Sequence, residues 1–233
     1  MVYLFLALGI VSLIVFLVLR DNKGSAIAIT FKTLTSVFFI ATAISAFYTN
    51  FRQSAFSIEN IDMFLLFLGG LIFGLIGDIL LDCKILYPQD DAPYTYAGMA
   101  SFAVGHVLYI SAICMYFGGF NWWGFLVGIV LAAAFMCVSI FVMKMDFGKY
   151  LIPTILYSVL LIGFMCQSFC ACINDGWSGV TVLIFVASIV FLLSDVVLSM
   201  TYFEGKDSKA MIIVNHVLYY AAQFMLAMSL LIL

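Results

Sequence analysis

Eight runs of apolar residues, divided by short polar punctuation, occupy almost the whole of this chain. A membrane-spanning helix needs roughly 20 mostly apolar residues, because the hydrocarbon core is about 30 Å thick and each helical residue rises about 1.5 Å. The runs lie at 2–19, 26–48, 63–83, 95–117, 121–143, 150–172, 179–201 and 211–232. Between them stand RDNKG (20–24), FRQSAFSIENID (51–62), KILYPQDDAP (84–93), GGFNWW (118–123), KMDFGK (144–149), INDGWSG (173–179) and FEGKDSK (203–209). Only 9% of the residues are charged, against roughly 25% in a soluble domain, so the chain has no polar surface with which to face water. The expectation is all-α: a polytopic membrane bundle of about eight transmembrane helices, a single integral membrane domain over residues 1–233.

The first run has no basic segment before it and no small-x-small cleavage site after it, so it reads as a retained helix and not as a signal peptide. A net charge of −3 leaves no electrostatic footprint for nucleic acid. The six cysteines form no C-x-x-C pair and fall mostly inside apolar runs. They read as small packing residues, not as a disulfide framework or a zinc knuckle.

Charge orients the bundle. Arg20, Lys23, Lys84, Lys144, Lys149, Lys206 and Lys209 follow the odd-numbered runs, whereas the other side holds only Arg52. The positive-inside rule makes the odd-numbered loops cytoplasmic and both termini non-cytoplasmic. Trp122 and Trp123 begin the fifth run on the outer face, where aromatic belts form.

The chain also repeats itself. FGLIGDILLD in the third run is echoed by FLLSDVVLSM in the seventh, and GHVLYI in the fourth by NHVLYY in the eighth, at offsets of 117 and 110 residues. Two four-helix repeats follow, roughly 1–118 and 119–233, related by an axis along the membrane normal. Chance similarity among apolar helices is the plainer account, weakened by an aspartate and a histidine recurring together.

Ionisable groups at membrane depth are costly, and each marks a functional candidate. Inside the runs they are Lys32, Asp78, Asp82, His106, Asp195 and His216. Asp78 and Asp82 lie four apart on one helix face, continued upward by Gly70 and Gly74. Their plain reading is close packing for the glycines and an interfacial helix end for Asp82; it suits Asp78 poorly, since Asp78 sits a turn deeper. Asp195 is flanked by Ser194, which can bond a neighbour; its plain reading is a structural aspartate paired to Lys32. Lys32 could equally snorkel to the interface. His106 and Tyr109 are three apart, and His216, Tyr220 and Gln223 fall at i, i+4 and i+7, with Asn215 and Tyr219 alongside. A lone histidine on an apolar helix is as often a hydrogen-bonded core residue as a functional one. Counted from the cytoplasmic side, Lys32, His106 and His216 come within the first two or three turns of their helices, and Asp78 and Asp195 near the ends of theirs. The expectation is a polar pocket in the cytoplasmic half, within reach of a lipid headgroup.

In these residues the chain resembles the YhhN family of membrane lysoplasmalogenases over essentially its full length. The matching pieces are FKTLTSVFF, GDILL, GMASFAVGHVLYI, FLLSDVVL and YYAAQ, in that order. One departure is visible: members often have Lys-Pro in the second span, where Thr33 follows Lys32, which touches a helix bend more than the chemistry. The resemblance implies a hydrolase that cleaves the vinyl-ether bond of lysoplasmalogens to a fatty aldehyde and glycerophospho-ethanolamine or -choline. That reaction delivers a proton to the alkene and adds water to the oxocarbenium ion, a task for one protonated and one ionised carboxyl. Two carboxylates in a low-dielectric pocket repel, so one keeps its proton. On this reading Asp78 and Asp195 are catalytic, with acid and base unassigned. Lys32 binds phosphate or tunes the pair. Asp82, His106, Tyr109, Ser194, His216, Tyr219, Tyr220 and Gln223 contact a lysophospholipid substrate. No metal or other cofactor is required.

Two rival readings stand beside it. A proton-coupled membrane transporter would also bury Asp, Lys and His, though Pro153, the one proline inside the runs, has no counterpart in the other half. A zinc-dependent intramembrane lipid hydrolase would draw three ligands from the same histidines and aspartates.

Overall fold

The computed structural model describes residues 1–20, 26–53, 58–203 and 208–233. Lys23 and Lys206, which entered the charge argument, lie outside the described residues. Among the described residues there are eight α-helices and no strand: α1 (Val2–Leu19), α2 (Ala26–Gln53), α3 (Ile58–Leu86), α4 (Asp91–Tyr116), α5 (Trp122–Cys137), α6 (Leu151–Asn174), α7 (Gly179–Phe203) and α8 (Lys209–Ser229). Each apolar run has become a helix, and α5 reaches spanning length by continuing through a π-helical turn, Val138–Val142. All eight spans are long and apolar enough to cross a bilayer. The chain is an integral, multi-pass membrane protein.

The ends differ in one instructive way. A short 3-10 turn, Pro88–Asp90, leads into α4, which starts at Asp91 and carries Pro93 in its first turn. Proline costs little there, because the first N–H groups of a helix have no intrahelical acceptor. Starting the helix earlier puts His106 about four turns in, deeper than the two or three expected from the sequence.

The chain divides into two compact units, residues 1–108 with 226–233, and residues 109–225. In the first, α1 packs on α2 and α2 on α3. α1 is apolar all round and buries only a narrow stripe, Val2, Gly9, Ser12 and Phe16. Ser12 Oγ donates to the Phe31 carbonyl across the α1–α2 contact, at 2.9 Å. Between α3 and α4 the contact is made of glycine. A Cβ at Gly105 would stand 3.1 Å from the Gly70 carbonyl oxygen, and one at Gly77 would strike the Phe102 ring at 2.6 Å. Ser101 Oγ closes the crossing by donating to the Phe73 carbonyl at 2.6 Å. Lipid tails are as apolar as leucine, so helices in a membrane gain little by hiding apolar surface from them. Close backbone approach over small residues supplies the contact instead. The plain reading of Gly70 as a packing residue therefore holds.

The second unit repeats this device between α5 and α6. The buried stripe of α5 is Gly124, Gly128, Ala132 and Met136, one residue per turn. A Cβ at Gly128 would meet the Gly163 Cα at 3.2 Å, and one at Gly124 the Cys170 sulfur at 2.5 Å. Cys166 packs with Ala132 and Ile162, so the cysteines of α6 serve as small packing residues. Asn121 caps α5 by accepting from the Gly124 N–H at 2.8 Å. Its own backbone is clasped by Gln167 of α6, which accepts from the Asn121 N–H and donates to its carbonyl. Trp122 and Trp123, 71% and 79% exposed, project from this end. At the far end the π turn leads into a cluster of Met136, Met145 and Phe147 with Met200 and Phe203.

The α5–α6 contact yields a direct expectation. Gly128→Val places a branched side chain against backbone that cannot retreat, and overpacking of this kind costs about 1–3 kcal/mol. Its detergent melting midpoint falls well below that of the wild type, while Val130→Ala, at a position 68% exposed, melts as the wild type does.

Candidate functional site

In the first unit, two i,i+4 pairs meet across antiparallel helices. Lys32 and Ser36 are one turn apart on α2, and Asp78 and Asp82 one turn apart on α3. In antiparallel register the first of one pair faces the second of the other. Lys32 Nζ lies 2.9 Å from Asp82 Oδ1 and 3.5 Å from Asp78 Oδ1. Ser36 Oγ is hydrogen-bonded to Asp78 Oδ2 at 2.7 Å and lies 3.3 Å from the Lys32 carbonyl oxygen. Lys32, Asp78 and Asp82 are 5%, 3% and 5% exposed, and Ser36 is fully buried. Asp82 Oδ2 has no hydrogen-bond partner among the described residues.

His106, in the same unit, is buried with Nδ1 2.8 Å from the Phe102 carbonyl oxygen. A carbonyl only accepts, so Nδ1 carries a hydrogen. His216 in the second unit is held the same way, Nδ1 to the Ile212 carbonyl at 2.7 Å. Each histidine is thus oriented by the turn that precedes it.

In the second unit Asp195 of α7 is half-buried, and its Oδ2 accepts a short hydrogen bond from the Tyr157 hydroxyl of α6. Beside it, Ser194 and Asn215 clasp α7 to α8: Asn215 Nδ2 donates to the Ser194 carbonyl at 2.8 Å, and Ser194 Oγ donates to the Asn215 carbonyl at 3.2 Å. A buried polar chain runs from Tyr109 to Gln223 to Tyr219. The Tyr109 hydroxyl donates to Gln223 Oε1 at 3.0 Å, and Gln223 Nε2 donates to the Tyr219 hydroxyl at 3.2 Å. Tyr220 is fully buried with its ring edge-on to Tyr219, centroids 4.9 Å apart.

The structure therefore brings Lys32, Asp78 and Asp82 into one cluster, and Tyr109, Tyr219 and Gln223 into another. It corrects two plain readings. Asp82 is no interfacial helix end but a buried ion-pair partner. Lys32 does not snorkel, because its ammonium is drawn inward by two carboxyl groups. Asp195 is held by Tyr157. Ser194, expected at the substrate, has its hydroxyl engaged with Asn215. Ser36 and Tyr157 went unnoticed in the sequence. Ser36 could have been found from its i,i+4 spacing to Lys32, whereas nothing around Tyr157 sets it apart from the other tyrosines. Among the described residues no three His, Cys, Asp or Glu side chains group so as to hold a metal ion.

What these groups offer chemically is proton handling at membrane depth: carboxyls whose oxygens are fixed by a lysine, a serine and a tyrosine, and two oriented imidazoles. No curated protein and no solved structure matches the chain. The sequence profile of the YhhN family matches residues 27–230, a stretch that contains every group just described. The chain belongs to the YhhN family.

Proposed function

We propose that this protein is a lysoplasmalogenase, hydrolysing the vinyl-ether bond of a lysoplasmenyl-ethanolamine or -choline. Family membership supports the reaction class, and one observation supports the chemistry: the Lys32 ammonium lies within ion-pair distance of two buried carboxyls. One cation neutralises one carboxylate, and apolar surroundings resist a second uncompensated charge. The Lys32–Asp78–Asp82 group therefore retains a proton that it can deliver.

The reaction uses it as follows. A carboxyl gives its proton to the alkene carbon remote from the ether oxygen, and the π electrons that take it leave an oxocarbenium ion. Water adds to the carbon bearing the oxygen and loses a proton to an ionised carboxylate. The hemiacetal then collapses to the fatty aldehyde, returning a hydroxyl to the glycerophospho-ethanolamine or -choline. Asp78 and Asp195 are the two catalytic carboxyls on this reading. The Tyr157 hydroxyl holds Asp195 Oδ2 in place, and on this reading Asp195 accepts the proton from water and stabilises the positive ion.

The decisive measurement is aldehyde release from a purified lysoplasmenyl-ethanolamine by detergent-solubilised protein, with and without a strong chelator. The expected result is chelator-resistant release that Asp78→Asn and Asp195→Asn each reduce by at least about 100-fold, the scale of a lost acid or base. Folded wild-type protein that releases no aldehyde overturns the reading and puts the proton-coupled transporter in its place. Release stopped by the chelator moves the chemistry to a metal.

We also infer that both termini face away from the cytoplasm and that the lysine cluster faces it. Arg20, Lys84, Lys144, Lys149 and Lys209 stand against Arg52 in support. In sealed vesicles of known sidedness, a membrane-impermeant maleimide labels Lys144→Cys from the cytoplasmic side and Ser178→Cys from the other; the reverse pattern sinks the orientation.

A further inference from the structure

The proposed reaction needs one carboxyl to hold a proton, and the geometry points to which one. We propose that Asp78 carries it, and that Lys32 and Asp82 form a closed ion pair that keeps it there. This makes Asp82 a positioning residue and not a substrate ligand. The inference rests on the lysoplasmalogenase reading above and deepens it.

Two observations carry the assignment. The first is distance. Lys32 Nζ is 2.9 Å from Asp82 and 3.5 Å from Asp78, so the short charge-assisted bond belongs to Asp82. The second is hydrogen-bond satisfaction. Ser36 Oγ has one hydrogen, with Asp78 Oδ2 at 2.7 Å and the Lys32 carbonyl at 3.3 Å both in reach. With the proton on Asp78 Oδ2, that carboxyl donates to Ser36 Oγ, and Ser36 turns its own hydrogen to the Lys32 carbonyl. The carboxyl and hydroxyl hydrogens then each have an acceptor. A proton on Asp82 Oδ2 would be a buried donor with no acceptor among the described residues, a costly arrangement.

The consequence is specific. While Asp82 neutralises Lys32, Asp78 keeps its proton. Remove Asp82 alone, and the ammonium turns to Asp78 and favours its ionised form, because an opposite charge within a few ångströms shifts a carboxyl by about one to three units. No contact with substrate has been lost, yet the acid has.

The test is a pair of variants in the aldehyde-release assay, each checked for a wild-type melting midpoint. Asp82→Asn is expected to lower kcat at neutral pH by about 10- to 1000-fold, with KM little changed and activity returning as the pH is lowered. Adding Lys32→Met to that variant removes the unmatched ammonium and restores kcat most of the way towards wild type. A double variant that melts normally but stays as inactive as Asp82→Asn overturns the proposal and makes Lys32 or Asp82 a substrate ligand. Full activity in Asp82→Asn alone overturns it too. Infrared spectroscopy separates this inference from the reaction itself. The carbonyl stretch of a protonated carboxyl is expected in the resting protein, lost in Asp78→Asn and kept in the Lys32→Met, Asp82→Asn double variant. That pattern holds even if wild-type protein turns over no lysoplasmalogen, an outcome that would refute the substrate and leave the proton assignment standing. A band that survives Asp78→Asn refutes the assignment whatever the activity.

Discussion

An ammonium and two carboxyl groups enclosed by apolar helices form the arrangement on which the first unit depends. Each ion removed from water loses several kcal/mol of solvation, and the loss is recovered only through short, well-directed contacts. Lys32 and Asp82 meet at 2.9 Å, and Ser36 takes up Asp78. Both contacts require α2 and α3 to lie antiparallel in a single register, because shifting either helix by one residue would rotate its pair off the shared face. The polar cluster thus fixes how two apolar helices are matched, which their hydrocarbon side chains could not do alone.

The rest of the packing is free to be simple. Glycine stripes on α3 and α4, and on α5 and α6, let backbones approach within the reach of a single Cβ. Where polar groups enter these crossings they are directed at backbone carbonyls or clasped in pairs, as with Ser101, Gln167 and Asn215. Such contacts leave no dangling donor in a medium without water. Side chain meets side chain at the groups proposed for catalysis: Lys32 with Asp82 and Asp78, and Tyr157 with Asp195.

Within each unit an aspartate is met by a hydroxyl from the preceding helix. Ser36 of α2 serves Asp78 of α3, and Tyr157 of α6 serves Asp195 of α7. The histidine of the next helix is in both cases anchored to the carbonyl four residues before it. These parallels extend the sequence likeness of the two halves from residue identity to local bonding. The donors differ in kind, and so do the surroundings: Asp78 has a lysine beside it, whereas the side-chain bond to Asp195 comes from a phenol.

By itself the sequence determined the number and extent of the helices, the membrane class, and the few ionisable groups worth attention. All of these follow from local properties: length, hydropathy, and the i,i+4 spacing that put Asp78 and Asp82 on one face. The start of α4 was missed by four residues because Pro93 was read as punctuation when it belonged to a first turn. Partnership was decided only in the tertiary structure. That Lys32 bonds Asp82, 50 residues away, and that Tyr157 serves Asp195, depends on helix register and rotation. The run of apolar residues around each leaves those unspecified, since any face of such a helix is acceptable to lipid.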